Sequence, residues 1–289
     1  MRYGIVVNPN AGTSSVSRKR RLLESVRDIL GGDCVIRGLD TESNRDFAQC
    51  AAELAREAEI LIVAGGDGTA SDAINAVAPE TTLSYLPIGS GCALRYALGL
   101  PPELPHVARR IKEGRLHRLD LILCDGRRRG FMASVGVEGD IIHRRDALQE
   151  SGIKGPRAYA MATFGSLFGE LDRCDTSVRL DGEEFSISEA VTTIVTKIPY
   201  YGYKMKVVPR AVFDDGYLHL LAINSGKAKI AQILAGAFIS ENKFGTYRMG
   251  REIQITAEHE RYAQIDGNLY RKGTSFRFEV LPGVLKMWY

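Results

Sequence analysis

"ILIVAGGDGTAS", Ile60 to Ser71, is a run of apolar β-formers that stops abruptly at two glycines, an aspartate, a third glycine and a threonine. An uninterrupted Ile, Leu and Val run bounded by glycine predicts a parallel strand buried on both faces. Gly65, Gly66 and Gly68 lack the Cβ that blocks tight turns, so the backbone there can approach a ligand closely. Thr69 to Val77 has helical character, and the N–H groups at a helix start suit a phosphate. Asp67 then stands at the mouth of the turn. The plain alternative is a strand, a turn and a helix with Asp67 as its cap.

Outward from this stretch the first part of the chain alternates. Strand-like segments at Tyr3 to Val7, Cys34 to Leu39, Ile60 to Ala64 and Leu83 to Ile88 are separated by helix-like ones. The helices fall at Ser15 to Leu30, Arg45 to Glu57, Thr69 to Val77 and about Leu104 to Glu113. This order calls for an α/β domain whose parallel sheet is covered by helices. From about Leu119 the texture changes to short runs rich in Val, Ile, Phe and Tyr, such as "AVTTIVT", "YLHLLAI" and "FRFEVLP", the pattern of an all-β, sandwich-like domain. Helical patches at Ala158 to Leu171 and Lys227 to Ile239 interrupt it. The boundary is placed near residue 120, giving domains 1–120 and 121–289, with the last strand free to return to the first domain.

The 289 residues, 45% hydrophobic and 25% charged, are enough for a sizeable core. No apolar run approaches a membrane span, and "MRYGIVVNPNAG" leads straight into a strand, so neither signal peptide nor anchor is expected. Cys34, Cys50, Cys92, Cys124 and Cys174 are scattered without a CxxC pair, which fits reduced thiols in a cytoplasm. A net charge of +3 is too small to argue for nucleic acid. The local basic clusters, Arg18 to Arg21 and Arg127 to Arg129, read as solvated surface, with phosphate or an anionic membrane as the alternative.

Two further turns share the chemistry of the first. "NPNAG" (Asn8 to Gly12) follows the first strand and "PIGSG" (Pro87 to Gly91) follows the strand after GGDGT. Three such turns at the carboxyl ends of parallel strands surround one crevice, where open α/β sheets place ligands. Their Gly, Asn, Ser and Thr groups suit phosphate oxygens.

In this order and spacing the motifs resemble the diacylglycerol kinase catalytic-domain family, which includes bacterial lipid kinases and sphingosine kinases. The resemblance spans nearly the whole chain. "YYGYKMKVVPRAVFDDGYLHLLAI" (Tyr200 to Ile223) is similar to the family's Asp-Asp-Gly segment, "QIDGN" (Gln264 to Asn268) to its late Asp-Gly-Glu, and "GPRAYAMATF" (Gly155 to Phe164) to its Arg-aromatic helix start. GGDGT alone is shared with NAD kinases. The resemblance implies Mg²⁺-dependent transfer of the γ-phosphoryl group of ATP to a hydroxyl of a lipid or other apolar alcohol. It places Asn8, Gly12, Gly65, Gly66, Gly68, Thr69, Gly89, Ser90 and Gly91 at the nucleotide, Asp67 and Asp266 at the catalytic step, and Asp214 and Asp215 at a structural Mg²⁺. A β-turn explains Asp214-Asp215-Gly216 equally well. Phosphoryl transfer needs anion-cradling amides, magnesium and a carboxylate that orients the nucleophile, and Asp67 fits the last role or an indirect hold on the metal through water.

The chain departs from the family where the family is polar. Asn-Glu after GGDGT becomes Ser71-Asp72, Asn-Asp becomes Cys92-Ala93, and the Glu of Asp-Gly-Glu becomes Asn268. An amide accepts no proton at neutral pH. Losing a general base costs about 10²- to 10⁴-fold in rate, so a nucleotide- or lipid-binding protein without turnover is the second reading. A kinase of a soluble acceptor such as NAD is the third. Glu138, Asp140 and Asp266 are available to compensate, and "SVGVEGDIIHRRD" (Ser134 to Asp146) reads either as a polar strand exit facing the cleft or as a solvated loop. The Lys227 to Ile239 helix either covers a sheet or meets a membrane with its apolar face. A peripheral place at the inner membrane face and a homodimer through a sheet edge are both compatible with this reading.

Overall fold

The computed structural model describes residues 1–153 and 155–289. The chain divides into two compact units, one of Met1–Leu119 with Gly283–Tyr289, the other of Asp120–Pro282.

The first unit begins β1 (Arg2–Val7), α1 (Val16–Leu30), β2 (Asp33–Arg37), α2 (Asn44–Glu57) and β3 (Ile60–Gly65). It continues α3 (Asp67–Ala76), β4 (Thr82–Pro87), α4 (Ala93–Ala97) and α5 (Leu104–Lys112). β5 (Leu116–Cys124) then leads out, and the end of the last strand, β14 (Asn268–Trp288), returns. The strands lie in the order β2, β1, β3, β4, β14, and every one of these pairings is parallel. All six residues of β3 are buried, as its unbroken apolar run requires. Helix α1 packs with α5 and α2 with α3. Local signals set the helix ends. Ser15 and Ser43 cap α1 and α2, the latter in a reciprocal capping box with Asp46. Gly31, at φ 66°, closes α1. Trp288 locks the returning strand, its indole donating to the Ile111 carbonyl at 2.8 Å and its carbonyl accepting from Ser84 at 2.7 Å.

The second unit is a twisted antiparallel assembly. It contains β6 (Arg128–Gly130), β7 (Met132–Gly136), α6 (Val137–Glu150), α7 (Gly155–Phe168), β8 (Cys174–Leu180), β9 (Glu183–Ala190) and β10 (Thr192–Thr196). β11 (Leu218–Ile223), α8 (Lys227–Ile239), β12 (Thr246–Gly250) and β13 (Glu252–Ile265) follow, and β14 closes the series. The order runs β12, β11, β10, β7, β13, β14, with β8 on β13, β9 on β8, and β5 between β14 and β6. One core joins Val135, Val178, Val195, Leu220, Ile255 and Phe278. A second lies under α6, α7 and α8 and includes Ile141, Ala162, Ile194, Ile230 and Ile233.

Ser134 to Asp146 is neither a strand exit nor a solvated loop after Gly136. It becomes helix α6, entered through Gly136 at φ 121°, with Val137, Ile141 and Ile142 buried. Asp266-Gly267 is a two-residue hairpin between β13 and β14, both residues at positive φ (51° and 83°), flanked by the pair Ile265 and Asn268. Asp-Gly is the dipeptide such a turn favours. Among the described residues no helix is long and apolar enough to cross a membrane.

Candidate functional site

The chain passes from β1 to β2 on one side and then to β3 on the other, so strand order reverses between β1 and β3. A crevice forms outside the carboxyl ends of strands at such a reversal. Asn8 to Gly12 leave β1 there, and Gly66 to Thr69 leave β3.

These loops are tied into one body. Asn8 donates its side-chain amide to Thr69 Oγ1 at 3.2 Å, and its Oδ1 accepts the Asn10 N–H at 2.8 Å. The third loop is bound to the second through the Gly65 carbonyl, which accepts from the amides of Ile88 and Gly89 (3.1 Å each) and from Tyr85 Oη at 3.1 Å. Contact is so close that two glycines are obligatory. A Cβ on Gly89 would stand 2.5 Å from Gly66 Cα, and one on Gly12, at φ 67°, would stand 2.3 Å from the Ile88 carbonyl oxygen. The nine residues assigned to a nucleotide thus lie in three segments, the loop after β1, the β3–α3 junction with the first turn of α3, and the loop after β4, joined by these contacts, with Ser90 exposed and Gly91 half-buried. Lys19, read as part of a solvated basic cluster, is only 2% exposed, and its ammonium donates to the Pro9 carbonyl beneath the first loop. Burial pulls its pKa down.

Helix α3 starts at Gly66 with no side chain capping it, although Asp67 is its first residue. The Asp67 carboxylate reaches instead to another helix. Oδ2 accepts the Ala93 N–H at 2.8 Å and Oδ1 the Leu94 N–H at 2.9 Å, so Asp67 caps α4 and holds the third loop to the GGDGT turn. Burial pushes its pKa above the ordinary carboxylate value, and the two amides oppose that shift without cancelling it. Each oxygen retains acceptor capacity. Cys92 and Ala93, which stand where the family is polar, are packed inside. Cys92 adopts a left-handed backbone (φ 42°) with Sγ 3.2 Å from the Gly89 carbonyl. Its thiol is pushed up to about 11, mainly by burial and then by the charge of Asp67.

An uncapped helix start beside glycine loops fits a phosphate, and the site needs no all-protein metal cage, because Mg²⁺ bound with nucleotide takes most of its oxygens from phosphate and water. Among the described residues no cluster of three or more His, Cys, Asp or Glu side chains is arranged to hold a metal.

The second unit holds the remaining assigned carboxylates. Asp266 is fully buried, with Oδ1 accepting the amides of Phe131 (3.1 Å) and Met132 (2.8 Å). It sits in the left-handed hairpin position and holds the start of β7. Asp214 and Asp215 part in their surroundings. Asp214 is exposed, whereas Asp215 lies 2.6 Å from the ammonium of Lys197 and 2.9 Å from His219 Nε2. Glu138, in the first turn of α6, accepts from Thr192 Oγ1, and burial raises its pKa. Asp140 is raised for the same reason, against the pull of Arg261. Sequence reasoning missed Lys197. Its signal was a lysine directly after the wholly buried strand "TTIVT".

A parallel α/β unit with three joined glycine loops, followed by an antiparallel unit, defines the class of two-unit proteins built around a GGDGT turn. Residues 2–124 match the diacylglycerol kinase catalytic domain, and residues 132–289 match the YegS C-terminal NAD kinase beta sandwich-like domain. The chain belongs to this diacylglycerol kinase catalytic-domain family. It is 25% identical over 274 residues to a diacylglycerol kinase of Staphylococcus saprophyticus, covering 92% of this chain and 88% of that one. It is 22% identical over 286 residues to an uncharacterised protein of Synechocystis, covering 92% of this chain but 65% of that longer protein. The crystal structure of a diacylglycerol kinase from Bacillus anthracis superposes with a TM-score of 0.76 at 22% identity, covering 100% of this chain and 96% of the other. At that identity the likeness shows the fold.

Proposed function

We propose that this protein transfers a phosphoryl group from ATP to a hydroxyl of a lipid or other apolar alcohol. The observation that carries the reading is the union of the three loops at the strand-order reversal, with the uncapped start of α3 among them. Bound ATP with Mg²⁺ supplies the phosphoryl group and neutralises its charge. The loop amides and Thr69 bind phosphate oxygens, Asn8 orients Thr69, and Lys19 holds the first loop from below. Asp67 keeps α4 and the third loop in register and presents its remaining lone pairs at the mouth of the turn.

The choice of a lipid acceptor rests on the family and its named relatives. It gains support from the end of α8. Ile230, Ile233 and Ala237 pack inward, yet Phe238 and Ile239 are 55% and 86% exposed, and Phe244 in the turn that follows is 39% exposed. Buried Asn242 pins this turn through the carbonyls of Val207 (3.1 Å) and Phe244 (2.9 Å). Lys227 and Lys229 in the first turn of α8 and Lys243 after it are exposed, with the Lys229 ammonium 3.9 Å from the Phe244 ring centre. Exposed apolar side chains at one end of α8, with lysines on the same helix and on the turn after it, suit the surface of an anionic bilayer. We assign the protein a cytoplasmic place with peripheral contact of this kind. Replacing Phe238 and Ile239 by serine is expected to reduce sedimentation with anionic vesicles several-fold; sedimentation equal to wild type would refute the contact.

The second reading, binding without turnover, is favoured by two observations: Asp266 is fully buried, and Asn268 stands where the family has an acid. A single experiment separates the readings. Protein, Mg²⁺ and γ-labelled ATP are incubated with bacterial lipid extract and NAD in one tube. Label in the organic phase supports the proposal, label in NAD replaces it with a soluble-acceptor kinase, and label in neither, with ATP bound, replaces it with a non-catalytic protein.

A further inference from the structure

The second unit buries a lysine completely. Lys197 directly follows β10, and no part of its side chain reaches solvent. Its ammonium has three donors. It meets three oxygens: Asp120 Oδ2 at 3.0 Å, Asp215 Oδ1 at 2.6 Å and the Tyr217 carbonyl. These acceptors come from β5 and from the Asp-Asp-Gly turn that enters β11, so the ammonium joins the exit of β10 to two other stretches of chain.

The rest of the cradle is saturated by the protein. Asp120 Oδ2 also accepts the Gly216 N–H at 2.7 Å, while the Asp120 N–H donates to the Phe213 carbonyl at 2.8 Å. Asp215 Oδ1 also accepts the Tyr217 N–H at 3.0 Å, and its Oδ2 faces His219 Nε2 at 2.9 Å. On its other side His219 Nδ1 lies 2.7 Å from Tyr247 Oη. The Asp215 carboxyl, which burial alone would raise, is held below the ordinary value by Lys197 and its neighbours.

We infer that Lys197 is the resident cation of the Asp-Asp-Gly turn, and that the oxygen cradle of Asp120, Asp215 and Tyr217 takes an ammonium in place of a divalent metal. The donor set of two carboxylates and a carbonyl is one that hard cations use. Mg²⁺ and Ca²⁺ need oxygens at about 2.0 to 2.6 Å, so an ion touching Asp120 and Asp215 together would occupy the volume of the Lys197 Nζ. Occupancy is therefore exclusive. The inference is independent of whether the chain transfers phosphate. It adds that the Asp-Asp-Gly turn needs no magnesium for its stability.

Thermal unfolding without nucleotide tests this. For the wild type, the same Tm is expected in EDTA and in millimolar Mg²⁺ or Ca²⁺. A rise with either metal that disappears in Asp215→Asn overturns the inference. Lys197→Met, which removes the charge but fills the space, is expected to lower Tm by on the order of 10 °C, with no recovery in metal, because it leaves buried carboxylates uncompensated. Lys197→Ala frees the space, and millimolar Ca²⁺ or Mg²⁺ is expected to restore part of its lost Tm. A folded Lys197→Ala protein indifferent to both cations also overturns the inference. If neither lysine variant folds, the wild-type comparison with Asp215→Asn decides.

Discussion

Replacing Asp67 by asparagine exchanges one carboxylate oxygen for an NH₂ group. The two oxygens accept from two successive amides, Ala93 at 2.8 Å and Leu94 at 2.9 Å. Whichever way the asparagine turns, one of these N–H groups then faces a donor. A hydrogen bond to a charged group contributes about 1.5 to 3 kcal/mol, and relief of the buried charge that raises the Asp67 pKa returns part of it. The net loss is about 1 to 2 kcal/mol, or about 3 to 8 °C in Tm. Loosening is concentrated at Ala93 to Ala97, where amide exchange measured by mass spectrometry should rise while the β1 and β3 strands stay protected. If the carboxylate also orients the acceptor hydroxyl, labelled-phosphate transfer falls at least about 100-fold. Asp67→Ala, which loses both bonds, should be about twice as destabilised. An Asp67→Asn protein with wild-type Tm, wild-type exchange at α4 and wild-type turnover would refute both roles.

Asp266→Ala leaves the amides of Phe131 and Met132 without their common acceptor in a fully buried place; a loss of about 2 to 4 kcal/mol is expected by urea unfolding, and a loss under about 0.5 kcal/mol would show that the carboxylate is not structural. Burial holds the His219 pKa below 6.5, against the opposing pull of Asp215, so the unfolded chain takes up that proton first. Stability should therefore fall as pH drops below about 6.5, down to the native pKa, and His219→Gln should flatten Tm against pH in that window. With thiols at about 11 and about 12, Cys92 and Cys124 should escape iodoacetamide at pH 8 (a value chosen near the ordinary thiol range of about 8.5) in the native protein and react once it is unfolded, as read by peptide mass; native labelling of Cys92 would contradict its buried left-handed setting.

The first unit was legible because its elements are long and strongly patterned. Serines before helices, glycines after them and unbroken apolar strands each point to the same answer. The elements that escaped have weak local signals. Helix α6 opens on Val-Glu-Gly-Asp-Ile-Ile, a mixture of β-branched residues and glycine that reads as strand or loop, and tertiary burial of Val137, Ile141 and Ile142 decides it. Helix α4 is five residues long and is capped from a distance by Asp67, an arrangement that sequence spacing does not encode. At the site, the three loops were readable as motifs, whereas Asp266 carried two meanings: a motif aspartate, and the first residue of an Asp-Gly hairpin. For Asp214 and Asp215 the metal and β-turn readings stay level in the sequence because one residue is not read with them. Lys197 meets Asp215 only after the strands are assembled.

We propose that the three joined loops form a nucleotide phosphate site. Its most direct test is calorimetric titration of ATP with Mg²⁺ into the wild type and into Gly89→Ala, whose Cβ would stand 2.5 Å from Gly66 Cα and must drive the second and third loops apart. Saturable binding by the wild type, weakened at least about tenfold (about 1.4 kcal/mol) in a Gly89→Ala protein that still unfolds cooperatively, is the predicted result. No binding by the wild type, or equal binding by both, would contradict it.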